Sequence, residues 1–152
     1  GEAEGREYHF VDRARYEALL AAGKVIEARS YDTMYGVWTY FTAEEGIDLA
    51  KTSYLTIGTL ESYEKLKSYF GEKQVVPVYV ELEDGERLSR ALARERLQET
   101  PRYAELCRRF LADCADFSEE KLAAAGIQER FENTDLTKCL KDITKYLKEA
   151  GI

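Results

Sequence analysis

The sequence predicts an α/β fold, a parallel sheet with flanking helices, preceded by a small mixed α/β lobe. Three observations predict it. From residue 54 onward, short β-branched and aromatic runs alternate with segments whose apolar residues fall at helical spacing, the pattern of strands joined by helical crossovers. Val75-Val-Pro-Val-Tyr-Val80 is an almost unbroken apolar run, as in strands covered by helices on both faces. The first 50 residues differ, with one helical period and two strand-like runs. A chain of 152 residues can bury one proper core. The expected organisation is a lobe over residues 1–50 and a core over 51–152, whose arginine-rich segment spans about 84–109.

In order, Tyr8, Phe10 and Val11 predict a short strand. Tyr16, Leu19 and Leu20 mark a helix over Asp12–Ala22, and Gly23 suits its C-terminal cap. Val25–Ala28 and Met34–Phe41 read as strands, rich in β-branched and aromatic residues. Tyr54–Thr59 reads as another, followed by a helix with Leu60, Tyr63, Leu66 and Phe70 on one face that stops at Gly71. Pro77 sits awkwardly in the next strand, since proline gives a central ladder no donor. Asp84 is placed to cap a helix reaching about Gln98, and Pro101 opens another bearing Tyr103, Leu106, Phe110, Leu111 and Cys114 on one side. Ser118 starts a further helix, and Arg130–Asn133 is a brief strand. Leu136, Cys139, Leu140, Ile143, Tyr146 and Leu147 mark the last helix.

Composition excludes several classes. Charged residues are 34% and apolar residues 45%, an ordinary globular profile. No uncharged run approaches the roughly 20 residues of a membrane span, and no basic segment precedes an apolar one at the start. A cytoplasmic protein without a membrane partner is the expectation. Three scattered cysteines, Cys107, Cys114 and Cys139, form no C-x-x-C pair and argue against a disulfide framework or a zinc site; they read as small apolar fillers. His9 is the single histidine, which excludes mechanisms needing two imidazoles; beside Phe10 and Val11 it reads as structural. No metal ligands are assigned.

The net charge of −7 conceals an asymmetry. Arg87 to Arg109 holds seven arginines against three acids, a balance of +4, leaving −11 elsewhere. An acidic chain with one arginine cluster lacks the broad basic face of a nucleic-acid binder. A small polyphosphate suits it better, because the guanidinium fork grips phosphate oxygens in pairs.

Tyr8-His-Phe-Val11, Val25-Ile-Glu27 and Met34-Tyr-Gly36, followed by the arginine-rich segment and Phe131-Glu-Asn133-x-Asp-Leu136, occur in the order found in guanylate kinases, and the chain resembles that family over nearly its whole length. The resemblance implies a fold of the P-loop nucleotide kinase type and transfer of a phosphoryl group from ATP to GMP with Mg2+. Such chemistry rests on positioning and charge neutralisation. It implies that Tyr8 and Tyr35 donate to the GMP phosphate and that Glu27 accepts from guanine N1–H and the 2-amino group. It implies that Arg94, Arg96 and Arg109 stabilise charge on the transferring group, and that Asn133 lies near adenine. Arg87, Arg90, Arg102 and Arg108 read instead as partners of acids on exposed helix faces.

Three departures stand out. Val37 follows Tyr-Gly where the family has Ser or Thr, and Gly58 stands where an acidic residue is expected; Thr39, Thr56 or Thr59 are the candidates to compensate. Above all, no G-x-x-x-x-G-K-[ST] occurs in the 152 residues. The family places that loop's strand between those matched here by 54–59 and 75–82. The expectation is therefore of a truncated chain, inactive or only nucleotide-binding by itself. Its sheet would rearrange, exchange segments in a dimer, or be completed by another chain. The alternative is a non-catalytic, guanylate-kinase-like protein-interaction module.

Overall fold

The computed structural model describes residues 4–5, 8–33 and 36–152. It is mixed α/β and divides into two compact units, residues 1–56 and 57–152.

In the first unit, helix α1 (Arg13–Ala21) starts at Asp12, whose carboxylate accepts from the Arg15 backbone N–H at 2.8 Å. It ends where Gly23 takes the left-handed conformation, φ 68°, that a side chain resists. Strands β1 (Val25–Thr33) and β2 (Gly36–Ala43) form an antiparallel hairpin, longer than the sequence suggests, with a bulge between Val25 and Glu27. The helix packs through Tyr16 on Phe41, ring centroids 4.9 Å apart, and buries Leu19. Successive side chains alternate across a strand. Residues in register with Phe41 therefore share its face, while Glu27, Arg29 and Tyr31, paired with Thr42, Tyr40 and Trp38, occupy the other. The strand expected at Tyr8–Val11 reduces to one bridge between Glu4 and Tyr8. His9 is exposed, its ring 3.1 Å from the Glu4 carboxylate.

In the second unit, α2 (Leu60–Phe70) is capped by Thr59. Strands β3 (Tyr79–Glu81) and β4 (Arg130–Glu132) pair in parallel, Tyr79 opposite Arg130 and Glu81 opposite Glu132. Between them run α3 (Asp84–Arg96), α4 (Tyr103–Asp116) and α5 (Glu119–Ala124), and α6 (Leu136–Glu149) follows. The core gathers Leu122, Ala125 and Ile127 under Leu60, Tyr63, Tyr79 and Phe117. Cys139 is buried with its thiol toward the Phe131 carbonyl.

Four expectations are corrected here. Residues 54–59 form no strand among the described residues; Leu55 and Ile57 are 90% and 94% exposed. Their apolar pattern favours extension locally, but a strand needs a neighbour for its N–H and C=O groups, and no described strand supplies one. Of the run 75–80, only Tyr79 and Val80 join the ladder, just beyond Pro77. Asp84 lies inside α3, and the cap is Glu83, whose carboxylate accepts from the Gly85 and Glu86 N–H groups at 2.9 and 3.0 Å. Cys107 is exposed, not a filler. The parallel sheet seen among the described residues has two strands.

Candidate functional site

In the first unit, the bulge after Val25 sets the register that places Glu27 opposite Thr42. The Glu27 side chain is only 2% exposed. Thr42 donates its hydroxyl to Oε1 at 2.8 Å, and Arg29 Nε stands 3.2 Å from Oε2. Burying a carboxylate costs several kcal/mol unless such partners surround it. Arg29, two residues on, shares the face by strand alternation. Tyr40 lies opposite Arg29, and the Tyr8 ring meets it edge-on with centroids 5.2 Å apart. The Tyr31 ring also meets Tyr40 edge-on, with centroids 6.0 Å apart. The face thus joins a dry carboxylate, a guanidinium, a hydroxyl and several phenols.

Tyr8 and Glu27 therefore share one hairpin face, and Tyr35 lies outside the described residues. The three threonines singled out in the sequence lie elsewhere. Thr39 pairs with Ser30 on the opposite face at 2.9 Å, Thr56 is exposed, and Thr59 caps α2. The hydroxyl at the carboxylate is that of Thr42. Its place depends on the hairpin register, which the bulge shifts, whereas Arg29 was readable from period-two spacing. Val37, in register with Asp32, falls on the face opposite Glu27. Gly58 is explained by packing: a Cβ there would lie 3.0 Å from the Cβ of buried Ser62.

In the second unit the arginines follow a different pattern. Arg94 and Arg96 lie exposed in the last turn of α3, and among the described residues neither has an ion-pair partner. Arg109 on α4 is 59% exposed, 3.7 Å from Glu105 and 4.0 Å from Glu95. Glu95, between Arg94 and Arg96 in sequence, is the α3 residue that Arg109 approaches. Asn133 follows β4. Its N–H donates to the Glu81 carbonyl at 2.9 Å, and its own carbonyl accepts from Arg90, one turn before Arg94, at 2.9 Å. Arg90 thus ties α3 to the Asn133 loop, a role sequence spacing did not reveal. Arg87 lies over the Phe110 ring at 4.5 Å, pairs with Asp84 and donates to Cys114. Arg108 pairs with Glu105, its hydrogen bond holding that carboxyl below its ordinary value. Among the described residues, no group of three or more His, Cys, Asp or Glu gathers as metal ligands, and no helix is long and apolar enough to cross a membrane.

No family model matches the chain. A stretch of 37 residues is 46% identical to the guanylate kinase of Rhodopseudomonas palustris (strain HaA2). It covers 24% of this chain and 17% of that protein. The chain is thus similar to a guanylate kinase over a short part of its length.

Proposed function

We propose that the chain is guanylate-kinase-like and that its first unit binds a guanine mononucleotide. Glu27 would read the base and Tyr8, with Tyr35, the phosphate. The observation that carries this reading is the Glu27 carboxylate, buried on the hairpin face that also holds Tyr8. A carboxylate withdrawn from water accepts two parallel N–H donors far more selectively than an exposed one, because a partner that lacks them leaves it unpaired. Guanine offers that pair on one edge, and adenine does not.

In the same reading, Arg94, Arg96 and Arg109 attend the phosphates of ATP and Asn133 lies by its adenine. Magnesium would enter as the companion of those phosphates. The family reaction, ATP plus GMP to ADP plus GDP, requires a phosphate cradle that these 152 residues do not encode, so the reading for this chain is nucleotide binding. A dimer or segment exchange that completes the parallel sheet belongs to the same proposal. A second reading, a non-catalytic interaction module, is favoured by exposed apolar side chains on α4 and α6, among them Leu111 at 67% and Leu136 at 62%.

The test is calorimetric titration with GMP, IMP and AMP. GMP is expected to bind at micromolar concentration, IMP more weakly for want of the 2-amino group, and AMP weakest. Glu27→Gln should erase the differences. Equal binding of all three nucleotides to the unmodified chain, or none, removes the reading.

A further inference from the structure

The Glu27 carboxylate has a resident cation at its side, and this bears on how a ligand gains access to it. We propose that Arg29 is the internal stand-in for the base: it holds Glu27 in the ligand-free protein and yields its place to the donor edge of a guanine-type base. The proposal rests on the nucleotide-binding reading and adds a specificity-determining residue to it.

Four observations carry it. First, with 2% of its side chain exposed, Glu27 admits no ligand unless a neighbour leaves. Second, Thr42 and Arg29 are unequally fixed at Glu27. Thr42 is a short side chain in register on β2 and donates at 2.8 Å, whereas Arg29 is long and keeps 21% of its side chain exposed. Third, the Arg29 contact is poorly made. Its Nε lies 3.2 Å from Oε2, yet the Nε–H is buried with no accepting partner among the described residues. A buried donor left unsatisfied weakens the arrangement that contains it. Fourth, the chemistry is interchangeable. A guanidinium presents two parallel N–H donors on one edge, as do guanine N1–H and its 2-amino group.

Exchange therefore replaces donor with donor at the carboxylate. The departing guanidinium regains water while its methylene stem stays along the hairpin. Adenine cannot drive the exchange, because it offers no matching pair of N–H donors to replace the guanidinium. The device sharpens base selection at a cost in affinity, since binding is weakened by the fraction of molecules in which Arg29 has moved aside.

The experiment compares GMP and AMP titrations of the unmodified chain, Arg29→Ala and Arg29→Gln. Glutamine keeps a neutral donor beside Glu27 and serves if the alanine variant melts, which circular dichroism reports. If Arg29 stands aside in about one molecule in ten, both variants should bind GMP about tenfold more tightly. AMP binding should not tighten in parallel. GMP binding that is unchanged or weaker in a folded variant, with the unmodified chain still binding, overturns the inference and leaves the nucleotide reading intact. Absence of GMP binding in all three chains overturns both. A second readout is the Arg29 Nε–H resonance, expected to change from slow to fast solvent exchange when GMP is added; persistence of slow exchange in the complex also overturns the inference.

Discussion

The two units each carry charged residues that the proposed function assigns to a nucleotide, and they build them in opposite ways. On the hairpin, Glu27 is dry, partnered by Thr42 and Arg29, and fixed by strand register. On α3, Arg94 and Arg96 are solvated and without ion-pair partners among the described residues, and Arg109 makes only long contacts to Glu95 and Glu105. Under the proposed function, the difference follows from what each kind of recognition demands. Telling one base from another requires a preorganised group that is penalised by the wrong partner. Phosphate brings several charges of its own, and arginines can wait for it in water, where long side chains stay mobile and cost little stability. One cluster is part of the fold, and the other is carried by it.

Mutations should separate the two. The largest effect is expected at neither cluster but in the core beneath β3: Leu122→Ala, at a side chain 1% exposed, should cost about 2–5 kcal/mol in urea unfolding. It sets the scale for a residue that serves packing alone. Glu27→Leu should come next, at about 3 kcal/mol, because it strands the mostly buried Arg29 guanidinium. That figure is low for a broken buried ion pair, because Arg29 keeps 21% of its side chain exposed. Unlike Leu122→Ala, it should also abolish GMP binding. A Glu27→Leu protein as stable as the parent would mean that the pair is not structural, and the contrast between the two units would fail.

These residues also show what the sequence could reveal. Helix α6 was legible because Cys139, Ile143 and Tyr146 repeat at the period of a helix, and α2 because Leu60, Tyr63, Leu66 and Phe70 share a face that stops at Gly71. Both signals are local. The hairpin was legible in kind but not in extent: β1 runs to Thr33, through Arg29, Ser30 and Asp32, which have no strongly strand-forming character but are held by β2. The site inherits that limit. Glu27 and Tyr8 could be named from sequence, whereas Thr42 and Tyr40 are set by cross-strand register and the bulge. Residues 54–59 failed in the reverse sense. Their composition is that of a strand, but strand formation depends on a neighbour, and no sequence window contains one.

A smaller effect tests whether α3, which carries the solvated arginines, is itself held by a charge. The Gly85 N–H, then that of Glu86, holds the Glu83 carboxyl below its ordinary value of 4.5. A carboxyl with a lowered folded value stabilises the protein above its ordinary value, and that contribution disappears as pH falls through the folded one. Helical circular dichroism should therefore show α3 loosening below about pH 4.5. Glu83→Ala should loosen it at neutral pH and remove that part of the acid response. A variant with an unaltered acid profile would show that the cap does not hold the helix.

The smallest effect on stability is expected where the ligand effect is large. Replacing Arg94 and Arg96 together by alanine removes two exposed side chains that have no ion-pair partner among the described residues, from the last turn of a helix. Surface changes of this kind stay within about 0.5 kcal/mol. A small loss is foreseen, because cations at a helix C-terminus interact favourably with its carbonyl groups. The melting temperature should therefore barely move, while binding of inorganic triphosphate should weaken markedly and lose much of its dependence on salt. That pairing of results would distinguish α3 from Glu27, where stability and binding are expected to fall together. Unchanged triphosphate binding would remove the arginines from the phosphate site. A large loss of stability would show that the α3 cluster, like Glu27, is part of the fold.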